Sequence, residues 1–152
     1  MLELNWNWYT FENLSVHRLY QLLRLRAEVF VVEQDCVYQD LDNRDQDALH
    51  LLAEDNEGNV HACVRLIAPD VAYQGHSAIG RVVTSSSLRG QGQGRPLMLK
   101  AIEKAQAIYA DTPIKLSGQQ HLCAFYESVG FKATGEPYLE DGIPHLAMVL
   151  EG

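Results

Sequence analysis

Residues 79–99 read Ile79-Gly-Arg-Val-Val-Thr-Ser-Ser-Ser-Leu-Arg-Gly-Gln-Gly-Gln-Gly-Arg-Pro-Leu-Met-Leu99. A β-branched strand passes into a short polar turn, then a glycine-rich loop, then an apolar helix. Glycines at 90, 92 and 94 remove the side chains that would keep a ligand away from the backbone. Amides at a helix start have no intrahelical acceptor, and the helix dipole is positive there, so the turn is suited to a phosphate. Pro96 falls in the first helical turn, where its missing N–H costs little.

The elements around this turn can be read in both directions. Upstream, Leu4-Asn-Trp-Asn-Trp-Tyr-Thr10 alternates as a half-buried strand does. Ser15 is placed to cap a helix on which Val16, Leu19, Leu22, Leu23, Arg26, Val29 and Phe30 recur at helical spacing. Residues 31–49 lose that pattern and predict a long acidic loop with a short helix. His50–Glu54 and Val60–Ile67 predict two strands joined by Asn56-Glu-Gly-Asn59, a hairpin turn. A fourth strand is expected over Ser77–Thr84, and the helix after the glycine loop runs to about Tyr109. Downstream come a short strand at Ile114–Ser117, a helix over His121–Ser128 stopped by Gly130, and two strands near Phe131–Thr134 and Leu146–Leu150. Glu140-Asp-Gly-Ile-Pro144 is the turn-rich segment between those two. The order is that of one α/β layer structure without repeats or linkers, a single domain over residues 1–152.

Composition narrows the partners. The formal net charge is −8, which disfavours a nucleic-acid backbone, since that needs clustered Lys and Arg. No apolar run approaches membrane-spanning length, and Met1–Tyr9 lacks the basic and apolar blocks of a signal peptide, so a cytoplasmic location and no membrane partner are expected. Three scattered cysteines and six scattered histidines show no ligand spacing, so reduced thiols and no metal are predicted.

Three nucleotide loops can be compared by spacing. A GxxxxGK[ST] loop is absent, and the glycines read GxGxG instead of the GxGxxG of a dinucleotide fold. Arg89-Gly90-Gln91-Gly92-Gln93-Gly94 instead resembles the Gln/Arg-x-x-Gly-x-Gly/Ala signature of the GCN5-related N-acetyltransferases. Phe125-Tyr126-Glu-Ser-Val-Gly130-Phe131 is similar to that superfamily's second motif, a helix carrying a tyrosine and ending at Gly-Phe. Four blocks narrow the resemblance to the bacterial ElaA-like proteins: Arg26-Ala-Glu-Val-Phe-Val-Val-Glu-Gln-Asp-Cys-Val-Tyr-Gln-Asp-Leu-Asp42, Ile79-Gly-Arg-Val82, Gln120-His-Leu-Cys-Ala-Phe-Tyr126 and Glu140-Asp-Gly-Ile-Pro-His145.

The resemblance implies a mixed, mostly antiparallel sheet splayed between strands 4 and 5, with helices on both faces. It also implies acetyl-CoA as cosubstrate and direct transfer to a primary amine, small or peptidic. By motif position, the amides of Gly90, Gln91, Gly92, Gln93, Gly94 and Arg95 take the pyrophosphate, with Arg89 opening the signature. Val82, Val83 and Thr84 follow the pantetheine arm, and the Val83 amide polarises the thioester carbonyl. Gln119 falls where the family often has a cofactor-touching Asn. Tyr126 is placed as general acid for the departing thiolate. Relatives with a glutamate opening the fifth strand have it where this chain has Ile114, so Glu33 and His145 stand as candidate bases. The acids of residues 31–49 suggest a lip that attracts a cationic amine, against plain solubilising charge. Arg65 and Arg81 read either as binders of an acceptor carboxylate or as salt-bridge partners. A non-catalytic acyl-CoA sensor and a transferase for another acyl group are the alternatives, and a homodimer is admitted by superfamily analogy alone.

Overall fold

In the computed structural model the described residues are 3–152; Met1 and Leu2, the first two residues of the N-terminal segment read above, lie outside them. Seven strands form a sheet in the order β1-β2-β3-β4-β5-β7-β6. They are β1 (Asn5–Thr10), β2 (Leu49–Glu54), β3 (Val60–Ile67), β4 (Ser77–Thr84), β5 (Ile114–Gln119), β6 (Lys132–Glu140) and β7 (Ile143–Leu150). The helices are α1 (Val16–Arg26), α2 (Gly94–Ile108) and α3 (Cys123–Ser128). β1 and β2, β5 and β7, and β6 and β7 pair antiparallel. β4 and β5 are parallel, and their ladder covers Ser77↔Ile114 and Ala78↔Lys115, so both strands continue well past the last paired residue. This is the mixed, splayed sheet expected. No helix among the described residues is long and apolar enough to cross a membrane.

The chain forms two compact units. One runs through Arg65 and adds Arg81–Met98; the other comprises Leu66–Gly80 and Leu99–Gly152. In the first, Ser15 caps α1 by accepting the Arg18 amide through its side chain. Leu22 and Leu25 of α1 pack with Val29, Leu52, Val60, Cys63 and Val83 in one apolar cluster, against which Tyr9, Leu14 and Phe30 lie. In the second, Ile114, Leu116 and Met148 are almost fully buried, and Tyr126 of α3 packs on Phe131.

Two expectations needed correction. Residues 31–49 do not begin as a loop: α1 runs on into a π-helical stretch over Ala27–Glu33, with the Gln34 and Cys36 amides bonding back to the Val29 and Val31 carbonyls. Residues 36–44 are irregular, and Asp45–Asp47 form the expected short helix, of 3-10 type. β6 and β7 are also longer than expected and close as a hairpin. Leu139 pairs with Pro144 and Glu140 with Ile143, leaving Asp141 (φ +51°) and Gly142 (φ +79°) as a two-residue turn of the mirror-image type that hairpins prefer. Gly135 and Pro137 are residues that weaken a central strand. An edge strand tolerates them, and the β6 register shifts between Thr134 and Tyr138 to absorb them.

Candidate acyl-CoA site

The first unit holds the glycine loop. Residues 86–93 form turns, and Gly90 (φ +83°) and Gly92 (φ +71°) take the left-handed backbone that lets the chain wind tightly into α2. The space a Cβ would occupy at either glycine is open. The first helical bond runs from the Leu97 amide to the Gln93 carbonyl, so the amides just ahead of Leu97 have no acceptor inside the helix. The Gln91 amide behaves differently from its expected role. It donates to the Leu88 carbonyl at 3.1 Å, which makes Gln91 part of the loop's internal bracing. Its side chain braces the loop further, donating from Nε2 to the Ser87 carbonyl at 2.8 Å.

Two side-chain contacts anchor this loop. Arg89 Nη2 pairs with Glu33 Oε2 at 2.5 Å and donates to the Thr84 carbonyl at 3.2 Å, joining the end of the π-helical stretch to the end of β4. His61 lies between Asp55 Oδ2 (2.8 Å from Nε2) and Ser87 Oγ (3.3 Å from Nδ1), linking the β2–β3 turn to the loop. Hydrogen bonds from His61, then from Asn59, hold the Asp55 carboxyl well below the usual carboxylate range.

Three of the acids after α1, Asp40, Asp42 and Asp45, are taken up by arginines, while Asp35 and Asp47 stay exposed. Arg26 Nε and Nη1 reach Asp40 Oδ2 and Asp45 Oδ1 at 3.0 and 2.7 Å. Arg65 holds Asp42 with both terminal nitrogens, at 2.8 and 2.9 Å, and Asp45 at 3.1 Å. Arg81 Nε reaches Asp40 Oδ1 at 2.8 Å. Arg26, Asp40, Asp45 and Arg65 are all buried, so their charges are spent on each other. Arg65 and Arg81 are therefore salt-bridge partners. Burial alone would raise the Asp42 pKa, but Arg65 outweighs it and brings the group down to about 2. Asp45 is lowered on the same balance, with Arg26 as the main opposing partner.

In the second unit Gln119 and His145 share a register position on β5 and β7, and Tyr126 approaches β5 at Gly118. Tyr126 lies against the other face of the strand: a Cβ added at Gly118 would sit 2.9 Å from its Cε2. Burial pushes the Tyr126 phenol up to about 12, so it holds its proton at neutral pH. His145 Nδ1 faces the Ile143 carbonyl at 2.7 Å. A carbonyl only accepts, so Nδ1 carries a proton, and Nε2 on the far side of the ring lies 3.4 Å from Glu140 Oε2. The Tyr138 ring stacks on the imidazole, its hydroxyl meets Ser117 Oγ, and Ser117 Oγ donates to Glu140 Oε1 at 3.4 Å. Gln120, His121, Ile143 and Pro144 line an open, mainly apolar pocket beside this cluster.

Sequence reasoning missed Ser117, Tyr138 and Glu140, because strand pairing alone brings three separate segments together. Gly118 carries a signal for this region, since a glycine inside a strand pattern marks close approach by another group.

The loop, the splayed parallel pair and the tyrosine helix are those of a GNAT fold, and the chain belongs to the GNAT acetyltransferase family. The family described as "Acetyltransferase (GNAT) domain" matches residues 16–152. Within it the chain is similar to protein ElaA of Escherichia coli K12, 45% identical over 140 residues covering 91% of this chain and 90% of that protein. The crystal structure of E. coli ElaA superposes with a TM-score of 0.91 at 41% identity, over 98% of this chain and 100% of that one. An acyl-CoA N-acyltransferase from Pseudomonas aeruginosa also gives 0.91, at 47% identity over 97% of this chain and 99% of that one.

Proposed function

We propose that this chain is an acetyl-CoA-dependent N-acetyltransferase that passes an acetyl group to a primary amine without a covalent enzyme intermediate. The observation that carries the reading is the turn from β4 into α2, where two left-handed glycines lead straight to a helix start. That arrangement suits a diphosphate, and the amides of Gly90, Gly92, Gln93, Gly94 and Arg95 would take it. The pantetheine arm would follow Val82–Thr84, with the Val83 amide donating to the thioester oxygen as negative charge develops there.

On this reading His145 serves as base. Its Nε2 takes a proton from the incoming ammonium, directly or through a water, and Glu140 at 3.4 Å then stabilises the imidazolium. Ser117 and Tyr138 hold Glu140 and the ring in place. Glu33 is the weaker candidate, because Arg89 already engages its carboxylate. Tyr126 acts as acid towards the departing thiolate. The Ile143–Pro144 pocket beside His145 is suited to the acceptor's apolar part.

Calorimetry with CoA and acetyl-CoA, followed by thiol release across amines, amino acids and N-terminal peptides, tests the proposal. Binding of both, with acetyl-CoA turned over by at least one amine class, is the expected result. Binding without turnover would favour a sensor, and absence of binding would end the reading. A second expectation concerns Gly118→Ala. The added methyl meets the Tyr126 ring at 2.9–3.0 Å and must push it aside. Misplacing a catalytic group on the ångström scale costs about 10²-fold in turnover, and overpacking costs about 1–3 kcal/mol. CoA affinity, set in the first unit, should hold; equal losses of affinity and turnover would count against this role for Tyr126.

A further inference from the structure

β4 carries an anomaly ahead of the proposed carbonyl-binding amides. Arg81 is left-handed, with φ +51°, in mid-strand. That backbone disfavours any residue with a Cβ, whereas glycine adopts it freely. Gly80 stands immediately before, yet the kink falls on Arg81. Something must hold Arg81 there, and its own side chain is anchored at several points. Nε donates to Asp40 Oδ1 at 2.8 Å and Nη2 to the Asp40 carbonyl at 2.9 Å, with Asp42 Oδ2 a further 3.4 Å contact. The guanidinium also lies over the Tyr38 ring, 5.7 Å from its centroid, and the Tyr38 hydroxyl donates to Asp40 Oδ1 at 3.0 Å.

Asp40 is itself immobilised. It is 5% exposed, and Arg26, with no exposed surface, holds both its carboxylate and its carbonyl. Two residues past the kink, Val83 is locked into the apolar cluster with Leu22, Leu25 and Cys63. The backbone around Val82 is thus gripped on one side by an ionic clamp and on the other by core packing.

We propose that the Arg81–Asp40 clamp is a positioning device, which holds β4 in the kinked form that aims its Val82–Thr84 amides at a bound thioester carbonyl. The inference rests on the acyl-CoA reading above and adds a role that residues far from the phosphate loop play in it. Arg81 touches no reacting atom on this account; it acts through the backbone it bends.

The test uses Arg81→Gly, which accepts the left-handed backbone but has no guanidinium, and Arg81→Lys, which keeps a charge without the fork. Two readouts on the full chain are needed: calorimetric affinity for CoA, and the infrared carbonyl band of bound [1-¹³C]acetyl-CoA. In the wild type the band should lie below that of the free thioester, as a polarised carbonyl requires. In Arg81→Gly it should return towards the free position while CoA affinity stays within a few-fold, and turnover should fall by about 10²–10³-fold, the worth of one such donor. If Arg81→Gly fails to fold, Arg81→Lys carries the same comparison with a partial return. A wild-type band position in the folded variant overturns the proposal, as does a parallel collapse of CoA affinity. Failure of the underlying reading looks different: the wild type itself would bind no CoA or leave the band undisplaced.

Discussion

Tyr126→Phe is expected to lower turnover by about 10²–10⁴-fold, the usual contribution of a positioned proton donor, with CoA affinity and folding almost unchanged. The ring packs at 6.4 Å and 75° on Phe131 and at 5.4 Å on Phe125, and phenylalanine preserves both contacts. Only the hydroxyl is lost. Its pKa of about 12 defines what it can do. A thiol titrates near 8.5, so complete transfer of the phenolic proton to a free thiolate is uphill by roughly 3.5 units, about 5 kcal/mol. On the proposed reading Tyr126 would therefore work by donating a hydrogen bond to sulfur as the C–S bond breaks. Burial also decides the alkaline limit. The acid form persists until pH nears 12, so Tyr126 should cause no loss of activity between pH 8 and about pH 10. Steady-state kinetics on any amine that the screen accepts would settle both points, and full turnover in the phenylalanine variant would remove the role.

Arg26→Met is expected to destabilise the fold by about 3–5 kcal/mol, because it takes from buried Asp40 and Asp45 the more deeply buried of the two arginines each one pairs with. Three hydrogen bonds go at once: to Asp40 Oδ2, Asp45 Oδ1 and the Asp40 carbonyl. Methionine fills most of the volume, so the loss reports charge more than packing. A melting temperature lower by roughly 10 °C corresponds to such a change in a chain of this size. Adding Asp45→Asn should restore part of it, since one stranded charge disappears; simple addition of the two losses would show that the pair is not coupled. The network also sets an acid limit. Asp42 and Asp45 have pKa values depressed below the ordinary 3.8, Asp42 to about 2. Groups depressed in the folded state contribute stability above their unfolded pKa and lose it as pH falls through the folded one. Wild-type stability in urea should therefore drop between about pH 4 and pH 2, less steeply in Arg26→Met, where Asp45 has lost its main partner.

The positioning of β4 connects these two results. Arg26 supports Asp40, and Asp40 supports Arg81, so variants that weaken the buried network should disturb the strand ahead of the glycine loop as well as stability. Arg26→Met combined with the infrared measurement would separate the two effects, since a stability loss alone leaves the carbonyl band of the folded fraction in place.

Local information was enough for β4, the glycine loop and α2. Their periodicity, the prolines and glycines at their boundaries and the signature residues all lie within about 30 consecutive positions, and helix starts and strands answer to neighbours that close. The same holds for Ser15 as a cap and for the tyrosine helix ending at Gly130-Phe131. Ion pairing is another matter. Asp40, Asp42 and Asp45 read as an open acidic surface because their partners, Arg26, Arg65 and Arg81, lie on three different elements 14 to 41 residues away. Likewise Ser117, Tyr138, Glu140 and His145 meet only because β7 runs antiparallel between β5 and β6. The glycine loop and the start of α2 follow from short-range sterics and dipoles, so the amino-acid order alone determines them; which charges neutralise each other, and what surrounds the His145 ring, follows from strand register and burial, which only the folded chain decides.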